Sequence, residues 1–79
     1  MDWNDVEAFC CVIERGGFTA AAKALGRPKS SLSASVSRLE TELGARLLQR
    51  TTRRVRPTEA GESLYQDTGG VVQRLREIR

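Results

Sequence analysis

The stretch "GFTAAAKALGRPKSSLSASVSRLETELG", residues 17–44, decides the fold. Thr19 is expected to cap a short helix, because its hydroxyl can accept a hydrogen bond from an otherwise unpaired backbone N–H. The run Ala20-Ala21-Ala22-Lys23-Ala24-Leu25 that follows has high helix propensity. Gly26 is the expected left-handed stop. Pro28 disfavours helical geometry at Arg27 and suits the first turn of a new helix, so Arg27-Pro28 reads as a tight turn. The next helix runs to about Leu43, with Gly44 as its terminator. On a wheel with steps of about 100°, Leu32, Val36, Leu39 and Leu43 fall within about 60° of one another and form the expected inward stripe. Ser30, Ser33, Ala34, Ser37, Arg38 and Thr41 lie opposite, on a face of small and polar residues nearly free of acids.

Two short helices joined through Gly26-Arg27-Pro28 have the proportions of a helix-turn-helix. In that motif the second helix enters the DNA major groove while the first crosses the backbone. Serines suit the second helix chemically, since their hydroxyls donate or accept and their short stems permit close approach to base edges. The same face also reads as an ordinary solvent-exposed one, and many helical hairpins share the spacing.

Upstream, Asp2 is a plausible N-cap, with Asp5 near the positive end of the helix it opens. Val6, Phe9, Cys10 and Ile13 recur at helical spacing, giving an amphipathic helix over roughly residues 3–15 that ends at Gly16-Gly17. Downstream, residues 46–57 suggest two short strands around a basic tip, and Pro57 places the second at an edge or an end. Arg50, Arg53, Arg54 and Arg56 fall within this hairpin with no acid between Arg50 and Arg56. Such a tip is placed to touch phosphates or reach a minor groove; the alternative is a charged edge that resists aggregation. Thr58 can cap a last helix of about 21 residues, roughly 30 Å long. Along it Leu64, Thr68, Val71, Leu75 and Ile78 alternate four and three apart, a coiled-coil seam with one polar position that Gly69-Gly70 weakens.

Charge follows the same layout. The formal net charge is +3, yet residues 23–56 alone carry nine basic and two acidic residues, while both ends are acidic. A basic middle between acidic ends is the footprint of a chain that binds a polyanion through one face. With 79 residues the chain makes one domain at most. It contains no histidine, and its two cysteines, Cys10 and Cys11, are adjacent, which suits neither a disulfide framework nor a metal site. At least one is expected in the core as a small apolar residue, and the chain reads as cytosolic. No apolar run approaches a membrane span, and the acidic N-terminus is unlike a signal peptide. An enzyme is disfavoured: no nucleophile–base pair and no phosphate-binding glycine loop is present, and neither catalytic nor metal residues are assigned. RNA stacking is disfavoured as well, because Trp3, Phe9, Phe18 and Tyr65 read as packing residues. A protein-interaction module remains the main competitor, since the seam from Leu64 to Ile78 fits that class too.

From Asp2 to about Tyr65 the sequence resembles the LysR-type transcriptional regulators of bacteria. The resemblance rests on "MDWNDVEAF", "FTAAAKALG", "SRLETELGARLLQRTTR" and "PTEAG". It implies a mainly α fold: a winged helix-turn-helix of three helices plus a short β-hairpin wing over residues 1–58, then a long linker helix over residues 59–79 that pairs with a second subunit. Family members continue into a C-terminal effector-binding domain that senses a small molecule and often supports tetramers. That domain is absent from these 79 residues, which are therefore expected to be an excised DNA-binding part or a truncated product, with no cofactor of its own. The implied activity is sequence-specific binding of double-stranded DNA by a cytoplasmic, nucleoid-associated homodimer, on an imperfect inverted repeat.

Residue by residue, the resemblance implies base reading by Lys29, Ser30, Ser33 and Ala34 with Pro28 beside them; Ser37, on the same small polar face, is expected to add a DNA contact. Wing contacts fall to Arg50, Thr51, Arg53 and Arg54, and a backbone contact to Thr19. Two positions depart from the family pattern: Lys29 stands where glutamine is common, and Ala34 where arginine is. Ala34 can offer only a methyl contact to thymine, so Arg38, one turn later, is expected to take over part of the missing contact.

Overall fold

The computed structural model describes residues 1–49 and 55–78. Four helices and one two-stranded ribbon follow in the order α1 (Trp3–Arg15), α2 (Phe18–Leu25), α3 (Lys29–Leu43), β1 (Leu48–Gln49), β2 (Arg56–Pro57) and α4 (Glu59–Ile78). This is the mainly helical architecture of a winged helix-turn-helix followed by a long helix. The strands pair antiparallel, Leu48 opposite Pro57 and Gln49 opposite Arg56. Pro57 closes its strand, as a residue without an N–H donor should. The hairpin tip, with the expected wing residues Arg50, Thr51, Arg53 and Arg54, lies outside the described residues.

The helix ends follow local chemistry. Asp2 caps α1 by accepting from the Asn4 backbone N–H at 2.7 Å. Gly16, Gly26 and Gly44 close α1, α2 and α3 in the left-handed conformation, with φ of 78°, 64° and 66°, a region that costs a residue with a Cβ but not glycine. Thr58 caps α4: its hydroxyl accepts from the Gly61 N–H at 3.1 Å. The expectation for Thr19 fails. Helix α2 begins two residues earlier than a Thr19 cap would place it, at Phe18, with Gly17 at the cap position and no side-chain cap. Phe18 packs against the core, and its burial draws it into the first turn.

The core lies where α1 crosses α2 and α3. Ala8, Phe9, Cys10, Val12, Ala21, Leu32, Val36 and Leu39 are fully inaccessible there. Both cysteines are free and buried, and burial pushes both thiols up from their ordinary range. Leu43 departs from its expected place: it remains 44% exposed, at the last turn of α3 before Gly44 ends the helix. Helix α4 lies back across α1 through Val72, which is fully buried, and through polar ties to Glu14. The Tyr65 hydroxyl donates to Glu14 Oε2 at 3.0 Å and Arg76 Nη1 to Glu14 Oε1 at 2.9 Å. Gly61 carries the closest approach of α4: a Cβ there would overlap the Leu47 carbonyl.

Candidate nucleic-acid interface

Helices α2 and α3 form the helix-turn-helix. The turn is fixed by Gly26 and by the Arg27 backbone N–H, which bonds to the Ala22 carbonyl at 3.2 Å. Pro28, extended at φ −60° and ψ 146°, opens α3, and its carbonyl accepts from the Ser31 and Leu32 N–H groups at 3.0 and 3.3 Å. Neither α2 nor α3 has a side-chain cap at its N-terminus. The two starts are neighbours: Lys29 Nζ donates to Thr19 Oγ1 at 3.5 Å, at an exposed position. A cation and two helix starts, each with the positive end of its dipole, therefore share one edge of the motif.

The outer face of α3 has the expected make-up. Pro28, Lys29, Ser30, Ala34, Ser37 and Thr41 are exposed, and Ser33 is half-buried. The acids of α3 point away from it. Glu40 is turned inward, only 9% exposed, and its Oε2 accepts from the Leu47 N–H at 2.8 Å. Glu42 pairs with the N-terminal ammonium at 3.5 Å. The small polar face of α3 is therefore free of carboxylates, although acids occupy two of its fifteen positions.

Two serines lie on the opposite side. Ser35 is fully buried and Ser31 half-buried, and both face Arg27. The Arg27 guanidinium donates to Ser31 Oγ at 2.7 Å, to Ser35 Oγ at 2.9 Å and to the Asn4 carbonyl at 3.4 Å. Arg38 completes this network. Its Nε and Nη2 grip Asp5 Oδ2 and Oδ1 at 3.0 and 2.8 Å, and Nη2 also reaches Ser35 Oγ at 3.2 Å. Asp5 is 1% exposed. The Arg38 hydrogen bonds hold its carboxyl below the usual carboxylate range, and the same bonds raise the Arg38 guanidinium. Arg38, expected to take over part of the contact missing at position 34, has its guanidinium bound to Asp5 of α1. One signal could have exposed this pair: Asp5 stands four residues before the buried Phe9, on the inner stripe of α1, where a carboxylate needs a partner.

The expected dimer seam divides. Leu64 is half-buried against the chain's own core. Thr68 donates to the Leu64 carbonyl at 2.7 Å and lies 3.5 Å from the Cys10 thiol. Val71, Leu75 and Ile78 stay 52%, 39% and 79% exposed, forming an apolar stripe toward the C-terminal end of α4. Trp3, Phe18 and Tyr65 pack against the core and Phe9 lies within it. Among the described residues, no helix is long and apolar enough to cross a membrane, and no cluster of three or more metal-ligating side chains occurs.

Comparison with known proteins agrees with this geometry. The sequence model of bacterial regulatory helix-turn-helix proteins of the lysR family matches residues 3–62. An HTH-type transcriptional regulator of Xanthomonas campestris pv. campestris is 49% identical over 76 residues, covering 96% of this chain and 22% of the relative. The Vibrio cholerae virulence activator AphB, solved at full length, superposes with a TM-score of 0.91 at 33% identity, over 99% of this chain and 27% of its own. A BenM DNA-binding domain, solved in complex with catB site 1 DNA, gives a TM-score of 0.90 at 32% identity, over 99% of this chain and 87% of its own. The chain thus spans about a fifth to a quarter of the full-length relatives it matches. Carrying the helix-turn-helix, the hairpin and the long helix of that family over nearly all of its length, the chain belongs to the lysR family of bacterial regulatory helix-turn-helix proteins.

Proposed function

We propose that this chain binds double-stranded DNA sequence-specifically as the reading head of a transcription regulator, with α3 in the major groove and the hairpin on the adjacent backbone or minor groove. The observation that carries the reading is the outer face of α3: exposed Lys29, Ser30, Ala34 and Ser37 with half-buried Ser33, and every acid of the helix turned elsewhere. Serine hydroxyls and the Lys29 ammonium contact base edges, and Ala34 accommodates a thymine methyl. Thr19, Pro28 and the uncapped starts of α2 and α3 lie against phosphates, which helix N-termini bind readily. Arg50, Thr51, Arg53 and Arg54 add backbone and minor-groove contacts from the wing. Solved complexes of the BenM DNA-binding domain with catB and benA site 1 DNA support DNA as the partner.

The functional unit is a cytoplasmic, nucleoid-associated homodimer. Val71, Leu75 and Ile78 supply the stripe that meets a second copy, with Leu64 at its margin. Two reading heads then engage two half-sites of an imperfect inverted repeat. In the longer protein a further domain binds a small-molecule effector and extends the assembly to tetramers.

The test is selection from a random duplex library, with affinities then measured at low and moderate salt. The expected outcome is an enriched inverted repeat, bound with an affinity that falls steeply as salt rises. Retention of no sequence, with no salt-sensitive binding, would favour a protein-interaction module instead.

A further inference from the structure

The structure assigns to Asp5 a role that rests on the DNA-binding reading above: we propose that it is a specificity-determining residue, acting through Arg38 by withholding that guanidinium from DNA phosphates. Arg38 lies one turn after Ala34 on α3, about 40° around the helix, and its side chain is 58% exposed. By position and length it is suited to reach a nearby phosphate. Its guanidinium is nonetheless held by both oxygens of Asp5, at 3.0 and 2.8 Å.

The two partners are unequal in what they lose on separation. Arg38 can be solvated as soon as it is released. Asp5 is 1% exposed, and without Arg38 it would keep a carboxylate in the interior with Ser35 as its nearby polar neighbour. Leaving a buried charge unpaired costs far more than a solvent-exposed ion pair returns. Arg27 lies near enough for its charge to lower the Asp5 carboxyl, but its guanidinium is hydrogen-bonded to Ser31, Ser35 and the Asn4 carbonyl rather than to Asp5. A phosphate therefore competes poorly for Arg38, and the latch stays closed on DNA.

The consequence concerns specificity more than affinity. A phosphate contact strengthens binding to every sequence alike, whereas base contacts discriminate. A regulator faced with a large excess of non-specific sites depends on the ratio of the two affinities. Holding one cation back from the backbone lowers binding to random DNA and leaves the serine face to decide.

Two experiments test the role. In the 15N-labelled wild-type chain, the Arg38 Nε–Hε resonance should remain in place when duplex is added, while the backbone amides of Lys29 to Ser33 shift. Movement of the Arg38 resonance together with those amides would overturn the latch and leave DNA binding standing. No shift anywhere would overturn both. The second experiment removes the latch. Asp5→Asn should bind a random-sequence duplex roughly three- to tenfold more tightly at low salt, with a salt dependence steeper by about one. Combining Asp5→Asn with Arg38→Gln should abolish the gain, which a purely structural role for Asp5 would not predict. A folded Asp5→Asn chain with unchanged or weaker affinity for random duplex would contradict the proposal, and if that variant fails to fold the wild-type resonance decides.

Discussion

The Glu40 carboxylate accepts a hydrogen bond from the Leu47 backbone N–H at 2.8 Å, so the base of the wing is tied directly to the inner side of α3. Both residues are almost inaccessible, at 9% and 1% exposure. Lining the core on one side and presenting serines on the other, α3 also sets where β1 begins. The carbonyl of Leu47 is used as well, accepting from the Thr58 N–H at 3.0 Å. One residue thereby joins α3, the wing and the start of α4.

Glu40→Ala should destabilise the chain by about 1–3 kcal/mol, because it strands the Leu47 N–H without an acceptor in the interior. Glu40→Gln, which keeps an acceptor oxygen, should recover most of that loss. Urea denaturation of the two variants separates the hydrogen bond from the charge, and equal losses for both would place the effect in the charge.

Two glycines of α4 should respond with opposite signs. On helix propensity alone, alanine is favoured over glycine by about 1 kcal/mol at either. A Cβ on Gly70 meets nothing within 4 Å, so Gly70→Ala should raise Tm. A Cβ on Gly61 overlaps the Leu47 carbonyl, so Gly61→Ala should cost about 2 kcal/mol and lower Tm by roughly 10 °C. Thermal unfolding by circular dichroism reads both.

The Asp5–Arg38 pair predicts a pH dependence with a definite sign. Hydrogen bonding from Arg38 holds the Asp5 carboxyl below its ordinary range, so the folded chain binds this proton less readily than the unfolded one. The stabilisation is then complete above the unfolded value of about 3.9 and is lost as pH falls through the lower folded value. The stability difference between wild type and Asp5→Asn should be constant from about pH 6 to pH 5 and shrink below about pH 4. A difference that grew on acidification would show the opposite shift.

Leu75→Glu addresses the apolar stripe of α4. Leu75 is 39% exposed, so the substitution should change the stability of a single chain by less than about 0.5 kcal/mol. It should abolish self-association in sedimentation equilibrium and weaken binding to a two-half-site duplex far more than to one half-site. An unchanged association state would remove α4 from the dimer interface.

Much of this architecture could be read along the chain. The cap at Asp2, the stops at Gly16, Gly26 and Gly44 and the inner stripe of Leu32, Val36 and Leu39 are local or periodic signals, and α1 and α3 formed where those patterns placed them. What escaped were relationships between distant positions. Arg38 was legible as a polar residue on α3, but its partner is thirty-three positions away and Asp5 looked like a helix-dipole residue. The four-and-three spacing on α4 marked one stripe, yet part of that stripe is taken up by the chain's own body and part stays exposed. Gly61, Tyr65 and Val72 meet the chain's own body from positions outside that spacing, and the same docking takes up Leu64 and Thr68. Thr19 had the chemistry of a cap, but burial of Phe18 moved the helix start.

On the proposed DNA-binding reading, the serine side of α3 selects the sequence while the wing arginines hold the backbone. That division of roles is tested most directly by the affinities of wild type, Ser33→Leu and Arg53→Ala for a selected operator and for random duplex. Ser33→Leu should lower the operator-to-random ratio by about tenfold, in line with about 1–3 kcal/mol per misread base pair. Arg53→Ala should weaken both duplexes alike and reduce the salt slope by about one. Full affinity for both duplexes in Arg53→Ala, or an unchanged ratio in Ser33→Leu, would contradict that division.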